Sequence, residues 1–164
     1  MEWIRKLYNT WLHNYDWSRA NEEIASLNHY STTLEGLRIH FVHQRAKPSS
    51  PSSSKPIPLL LIHGWPGTFY EFHRLIEPLT SPSSPDAPVF DLVIPSLPGF
   101  CWSSGPPRGW TLQDTARVFD QLMKRLGYDT YAAHGGMSPT PPSPISRLLS
   151  PSVTKRKNQE NKTS

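Results

Sequence analysis

One glycine-containing loop carries residue types that suit catalysis. It directly follows the apolar run 58–62 and consists of His63, Gly64, Trp65, Pro66 and Gly67. Glycine lets a backbone approach a ligand closely, and a free backbone N–H in such a loop can stabilise developing negative charge. An ordinary turn between a strand and a helix would explain the same residues. Taken alone, the loop leaves both interpretations open.

The other candidate nucleophiles lack the surroundings that would activate them. Ser103, Ser104 and Ser138 do not stand in a Gly-x-Ser-x-Gly sequence, the setting of a serine nucleophile at a strand-to-helix turn. Cys101 is the only cysteine and has no activating pattern beside it, so we expect a buried, unreactive thiol. A single cysteine excludes an internal disulfide and a cysteine metal cage, and we expect no metal and no cofactor.

Composition and charge exclude several classes of protein. The chain has 164 residues, of which 36% are hydrophobic and 18 are proline, so we expect less than the full length to pack. The net charge is +4, but the basic residues are spread out except at 155–157, and we expect no nucleic-acid partner. No apolar run approaches membrane-spanning length, and the N-terminus lacks the apolar core of a signal peptide. We therefore expect a cytoplasmic protein.

The elements that would position the loop follow from hydrophobic spacing. Trp3, Leu7, Trp11 and Tyr15 recur every four residues and predict a first helix, and Asp16 is placed to cap a second helix that runs through Leu27. Residues 37–43 alternate after a Glu-Gly turn, which predicts a half-buried strand. The Ser-Pro tract 48–56 is then a loop, and the apolar run 58–62 predicts a strand covered on both faces.

The second half of the pattern continues the alternation of strands and helices. We predict a helix over 70–79, a buried strand over 91–94, and a short last strand over 128–133. Between these strands lies the strongest helix, which Thr111 caps and Gly127 ends. Its apolar stripe comprises Leu112, Ala116, Phe119, Met123 and Leu126. Strands that alternate with helices are typical of an α/β fold with a parallel sheet.

Several further sequence blocks, taken in order and spacing, carry a family resemblance. They are the loop 63–67, Tyr15-Asp16-Trp17, Leu27-Asn28, residues 36–43, the Phe-Tyr-Glu-Phe block 69–72, residues 95–100 and residues 122–128. Together they resemble the N-terminal region of epoxide hydrolases of the microsomal type. The resemblance covers nearly everything from Trp3 to Gly136.

The resemblance implies a fold and a reaction. It implies an α/β-hydrolase fold with a helical N-terminal extension, acting on a small-molecule epoxide without a cofactor. In such enzymes an aspartate at a strand-to-helix elbow attacks an epoxide carbon and forms an ester. Tyrosines of a cap domain protonate the epoxide oxygen, and a late histidine paired with an acid activates water. By position, Trp65 would supply an oxyanion-hole N–H, Pro66 would fix the turn through a cis bond, and His63 would be structural.

The chain departs from the family pattern after Gly135 and Gly136. The family's elbow reads Gly-Gly-Asp-Trp-Gly, whereas Met137, Ser138 and Pro139 follow here. A thioether cannot perform the carboxylate's step, so we expect a chain truncated before the nucleophile and without activity. We expect a lost reading frame or a retained intron as the origin of this change.

The expected organisation has three parts. Residues 1–46 would be the N-terminal extension with its first strand, 57–136 the start of the hydrolase core, and 137–164 a disordered tail without homology. Two alternatives remain: a related hydrolase such as a haloalkane dehalogenase, and a non-catalytic interaction module. His134, at the end of the last strand, is expected to be a packing or a solvent-facing residue.

Overall fold

A computed structural model describes residues 1–47, 55–84 and 86–136. The predictions for the tail 137–164 and for most of the Ser-Pro tract 48–56 lie outside the described residues. No helix of the described part of the chain is long and apolar enough to cross a membrane.

Two helices open the chain, as the spacing predicts. Helix α1 spans Glu2–His13 and helix α2 spans Trp17–Ala25. Asp16 is the N-cap of α2, because its Oδ1 accepts hydrogen bonds from the backbone N–H groups of Ser18 and Arg19 at 2.9 and 3.2 Å. Neither helix contains a buried residue. The apolar face of α1 therefore has no partner among the described residues.

The sheet has five strands in the order β1-β2-β4-β3-β5. Their bounds are β1 His29–Leu34, β2 Leu37–Gln44, β3 Ile57–Ile62, β4 Phe90–Pro95 and β5 Ala132–Gly135. Strands β4, β3 and β5 are parallel, whereas β2 is antiparallel to both β1 and β4. The sheet is therefore mixed: β4, β3 and β5 form the parallel part that the sequence predicts, and β1 and β2 add an antiparallel edge that the prediction of a parallel sheet did not include.

Strand β1 is the element that sequence analysis did not predict. Its sequence, His-Tyr-Ser-Thr-Thr-Leu, has no apolar alternation, and it forms an exposed edge of the sheet. Pairing with β2 across a tight turn creates the strand. Glu35 and Gly36 in that turn have φ angles of 47° and 80°, the left-handed region that a short hairpin turn requires.

Strand β2 is more deeply buried than its alternation predicts. It lies between β1 and β4, and apolar side chains cover both of its faces. Ile39 and Phe41 join the cluster formed with the helix after β4, whereas Val42 joins the cluster on the opposite face. His40 and His43 are consequently only 4% and 9% exposed.

One helix-forming segment covers the face of the sheet on which Val42 lies. The predicted helix 70–79 is observed as a 3-10 turn, Phe69–Phe72, followed by helix α3, His73–Thr80. Phe69, Phe72 and Ile76 bury themselves against β3 and β4 on this face. Ile24 and Leu27 from the N-terminal region pack partly against the same cluster.

Helix α4, Leu112–Arg125, covers the other face. Thr111 caps it in a capping box with Asp114, as the sequence predicts. The predicted stripe is wrong at its start, since Leu112 is 40% exposed and burial begins one turn later. The first turn is held at the surface by the polar interactions of Asp114, which accepts from Thr111 and from Arg117.

The predicted last strand begins later than expected, at Ala132. Tyr128 precedes the strand and binds to the sheet through its side chain. Its hydroxyl donates to Asp91 Oδ2 at 3.0 Å and lies 3.0 Å from His43 Nε2. Tyr131 is buried, and its hydroxyl donates to Asp120 of α4 at 2.9 Å. These two tyrosines join the last strand to β2, β4 and α4 before it pairs with β3.

Candidate functional site

The loop 63–67 lies at the carboxyl edge of the parallel strands. It follows β3, and Ile62 at the end of β3 is in register with Gly135 at the end of β5. The loop and Gly136 therefore meet at one edge of the sheet, where α/β folds place their ligands. A cleft of about 340 Å³ opens there, lined by Gly64, Trp65, Pro66, Gly67, Glu71 and Gly136.

His63 anchors this loop from below. It is 1% exposed, and its Nε2 accepts a hydrogen bond from the backbone N–H of Leu97 at 3.1 Å. Its Nδ1 lies 3.2 Å from the carbonyl oxygen of Gly64, which can only accept, so Nδ1 carries the proton. Burial lowers the pKa of His63, which favours the neutral ring. The imidazole thus ties the loop after β3 to the loop after β4.

The turn itself depends on proline and glycine. The Trp65–Pro66 peptide bond is cis, as the resemblance implies, and the Trp65 side chain is 75% exposed. A methyl group added at Gly67 would overlap Glu71 Oε2 and would lie 3.0 Å from the carbonyl oxygen of Gly64. Gly67 therefore lets Glu71 pack directly on the backbone of the loop.

The backbone N–H of Trp65 is available at the cleft. Within residues 1–47, 55–84 and 86–136, no backbone carbonyl accepts a hydrogen bond from it. A backbone N–H that is held in place at a cleft and not engaged within the protein can donate to a ligand oxygen. This is the chemical property that an oxyanion hole requires.

Gly135 and Gly136, at the end of β5, lie beside the loop 63–67. A β-carbon at Gly135 would lie 3.0 Å from Ile62 Cβ and 3.2 Å from the Ile62 carbonyl oxygen, so a larger residue would push β5 away from β3. A β-carbon added at Gly136 would meet no described atom within 4 Å, and Gly136 lines the cleft. Met137, which follows it, lies outside the described residues.

The remaining candidates lie away from the cleft lining or do not face it. His134 is exposed, so the solvent-facing one of its two expected roles is observed. Cys101 is exposed rather than buried, because it occupies the outer corner of a tight turn with a φ of 46°. The backbone N–H of Ser103 donates to Phe100 and closes that turn. In the described part of the chain, no three His, Cys, Asp or Glu side chains are grouped so that they could hold a metal ion.

Glu71 is the cleft residue that sequence reasoning did not single out. It stands within the Phe-Tyr-Glu-Phe block 69–72, and its position four residues after Gly67 in a loop-to-helix junction was the available signal. Its carboxylate is the only acidic group that lines the cleft among the described residues.

Comparison with protein families gives two adjoining matches. Residues 1–72 match the family described as "Epoxide hydrolase N terminus", and residues 57–136 match the family described as "alpha/beta hydrolase fold". The two matches overlap and together reach Gly136, the last residue before the departure at Met137.

Individual proteins give the same pattern. The chain is 39% identical over 138 residues to Epoxide hydrolase 1 of the rabbit, Oryctolagus cuniculus, a match that covers 82% of this chain and 30% of the relative. It is 39% identical over 137 residues to a putative epoxide hydrolase of Stigmatella aurantiaca, covering 81% of this chain and 30% of the relative. The chain thus spans about 30% of the length of these relatives.

Solved structures agree with the observed fold. The epoxide hydrolase of Aspergillus niger superposes with a TM-score of 0.68 and 36% identity, covering 90% of this chain and 36% of the other. The juvenile hormone epoxide hydrolase of the silkworm Bombyx mori superposes with a TM-score of 0.72 and 33% identity, covering 86% of this chain and 31% of the other.

Proposed function

Since residues 1–136 of the chain belong to the epoxide hydrolase family, we propose that they carry the oxyanion-binding part of an enzyme that opens small-molecule epoxides to diols. The predicted α/β-hydrolase fold and the resemblance from which this proposal starts are confirmed by the family matches and the solved structures. In this proposal, residues 1–46 are the N-terminal extension with its first strands. Residues 57–136 are the start of the hydrolase core.

The proposed reaction has two steps. A carboxylate oxygen attacks an epoxide carbon, the carbon–oxygen bond of the ring breaks, and the released oxygen takes a proton. Water then loses a proton and attacks the carbonyl carbon of the resulting ester, and the carbonyl oxygen becomes negatively charged. The bond to the diol oxygen then breaks, the diol takes the proton, and the carboxylate is restored. The Trp65 N–H would donate to the charged carbonyl oxygen, and neutral His63 would hold the loop in position. The observation that carries the proposal is the Trp65 N–H, which donates to no backbone carbonyl within the described residues and lies beside Gly136 at the carboxyl edge of the sheet.

The residue after Gly136 decides what this chain can do on its own. The family's elbow has an aspartate there, and this sequence has Met137. The methionine sulfur carries no charge and leaves no hydrolysable ester after attack, so the first step cannot take its normal course. We therefore propose that the chain retains the oxyanion loop but does not turn over epoxides.

The activity prediction follows directly. Purified chain incubated with styrene oxide should produce diol no faster than buffer, and its intact mass should not gain the mass of the epoxide. A full-length epoxide hydrolase assayed in parallel serves as the positive control. Diol formation above the buffer rate, or stoichiometric alkylation of the chain, would contradict the proposal.

One observation favours the second candidate, a non-catalytic interaction module. The side chains of Trp3, Leu7 and Trp11 are 67%, 61% and 71% exposed on one face of α1. A large, contiguous, exposed apolar surface of this kind often marks a site at which another protein binds. The module would bind an intact homologous partner through this face.

Titration against a full-length epoxide hydrolase tests this alternative. If the module binds, the chain should give a saturable isotherm, and replacing Trp3, Leu7 and Trp11 with serine should abolish it. The matched control carries Asn9→Ala and Thr10→Ala on the same helix and should bind as the unaltered chain does. Equal binding by both variants, or no saturable binding at all, rejects the module.

A further inference from the structure

Two histidines form a hydrogen-bonded pair between the N-terminal helices and the sheet, away from the lining of the candidate site. His29 begins β1 and His40 lies in β2, and His29 Nδ1 is 2.9 Å from His40 Nε2. The two rings stack with their centroids 5.2 Å apart. Phe69 and Trp102 each pack edge-on against both rings. Aromatic groups therefore enclose the pair on more than one side.

The pair is the middle of a longer hydrogen-bonded chain. His29 Nε2 lies 2.8 Å from the carbonyl oxygen of Ile24 in α2, and His40 Nδ1 lies 2.8 Å from Ser96 Oγ, just after β4. The chain thus runs from the last turn of α2, through β1 and β2, to the end of β4. It is a direct polar connection between the N-terminal helices and the centre of the sheet.

The direction of every hydrogen bond in this chain is determined. The Ile24 carbonyl can only accept, so His29 Nε2 carries a proton, and a neutral His29 then has a bare Nδ1. His40 Nε2–H must donate to that nitrogen. His40 Nδ1 is in turn bare and accepts from the Ser96 hydroxyl. With both rings neutral, a single arrangement of protons satisfies all three contacts.

Protonation conflicts with this arrangement. The 2.9 Å gap between the rings holds one proton, whereas two imidazolium ions would place two protons in it. The intact chain therefore accepts at most one extra proton, and only if the Ser96 hydroxyl turns away from His40. Two separated, solvated histidines would each take a proton near pH 6.5. Burial is the larger cause and the charge of His29 the smaller cause that lowers the pKa of His40 to about 4. This direction agrees with the conclusion that the paired rings resist protonation.

The neighbours of the pair do not compensate a positive charge. Arg38 of β2 lines the same cleft, about 520 Å³ in volume, and adds a like charge. Glu23 of α2 is outside the cleft lining, pairs with Arg19 of the same helix at 3.5 Å and accepts a hydrogen bond from Tyr70, on the 3-10 turn, at 3.4 Å. The other lining groups, which include Asn21, Ser31 and Trp102, are neutral. The cleft opens to solvent, so protons can reach both rings.

Burial excludes a different reading of the same contacts. A serine hydroxyl on an imidazole that contacts a second group has the connectivity of a nucleophilic triad. Ser96, however, is 0% exposed and donates into the protein, so no substrate reaches its Oγ. The arrangement is suited to holding two elements together and not to attacking a substrate.

We propose that the His29–His40 pair is an acid-sensitive latch, which holds the N-terminal helices on the sheet and releases them when the pair takes up protons. Within the part of the chain that the structure describes, the helices have few other attachments, because α1 and α2 contain no buried residue and only Ile24 of α2 and Leu27 just after it pack partly on the core. A nine-residue helix is unstable by itself, so α2 unfolds when it leaves the sheet. Helix α4, with six buried residues, stays docked.

Hydrogen exchange of the whole chain tests the latch. Between about pH 7.5 and pH 5, after correction for intrinsic exchange, protection of the α2 amides should fall. Below about pH 6 the fall should approach at least about tenfold per pH unit, because opening takes up one proton or more. The buried amides of α4 should stay better protected than the α2 amides at every pH in this range, because α2 opens without unfolding of the core. Constant α2 protection, or α2 protection equal to that of α4 at every pH, overturns the proposal.

Variants and tautomers make the test specific. His40→Gln should flatten the pH dependence of α2 protection, whereas His134→Gln, which changes an exposed histidine, should leave it as it is in the unaltered chain. An unaltered slope in His40→Gln overturns the latch. Nitrogen-15 NMR of the unaltered chain checks the geometry independently of any variant. Both rings should be neutral Nε2–H tautomers at about pH 7.5, and an Nδ1–H tautomer at either position contradicts the proposal.

Discussion

Replacing Leu122 with alanine should lower the free energy of unfolding by about 2–5 kcal/mol. Leu122 is 0% exposed and lies where α4 packs against the sheet, in the cluster that contains Ile39, Leu60 and Val93. The substitution removes buried apolar surface and leaves a cavity, and both effects destabilise the native state. Urea unfolding followed by circular dichroism measures the change.

The matched control uses the same substitution in the same helix. Leu112 is 40% exposed at the first position of α4, so Leu112→Ala should change the free energy of unfolding by less than about 1 kcal/mol. This control also tests the corrected stripe, because the sequence pattern placed Leu112 in the apolar stripe and left Leu122 out of it. Equal losses at the two positions would mean that the observed burial of α4 is wrong.

Replacing His63 with alanine should cost about 2–4 kcal/mol. The buried backbone N–H of Leu97 would lose its acceptor, and the removed ring would leave a cavity beneath the loop 63–67. The loop should become more mobile, which broader NMR signals of the Gly64 and Trp65 amides would report. His134→Ala, at an exposed position, should leave both the stability and these signals unchanged. A His63→Ala chain as stable as this control would show that the ring does not anchor the loop.

The same residue contributes to the pH dependence of stability. Because burial lowers the pKa of His63, the folded chain binds fewer protons than the unfolded chain below about pH 6.5. The stability from the neutral ring is therefore present above about pH 6.5 and is lost as the pH falls towards the folded-state pKa. In His63→Ala, the loss of stability between about pH 7.5 and pH 5 should be smaller. It should not vanish, since burial also lowers the pKa values of His40 and His43.

The sequence predicted the elements whose signals are local. The apolar run before His63 became β3, the capping box at Thr111 began α4, and Asp16 capped α2. The loop 63–67 was placed correctly between a buried strand and a helix, and its cis bond at Pro66 agrees with the resemblance. Caps, turns and hydrophobic periods depend on residues a few positions apart, so they can be read without the fold.

Sequence analysis identified the segments that form the candidate site but not their contact in space. The loop and the Gly135–Gly136 pair were both recognised, but they are about seventy residues apart in the chain. Their meeting depends on β5 pairing in parallel with β3, which brings Ile62 opposite Gly135. Glu71 was overlooked because its contact with the loop depends on the missing β-carbon of Gly67, seen only once the turn is built.

What only the tertiary structure decided concerns partners that are distant in the chain. Strand β1 has no periodic signal and exists because β2 pairs with it. Strand β2 is buried because β1 and β4 cover its edges while the two apolar clusters cover its faces. The same arrangement buries His40, joins it to His29 and Ser96, and leaves Cys101 at an exposed corner. Local propensity sets which segments form helices and strands. Long-range packing decides which strands pair and which faces are covered. It therefore also decides which polar side chains are buried away from water and must hydrogen-bond to each other.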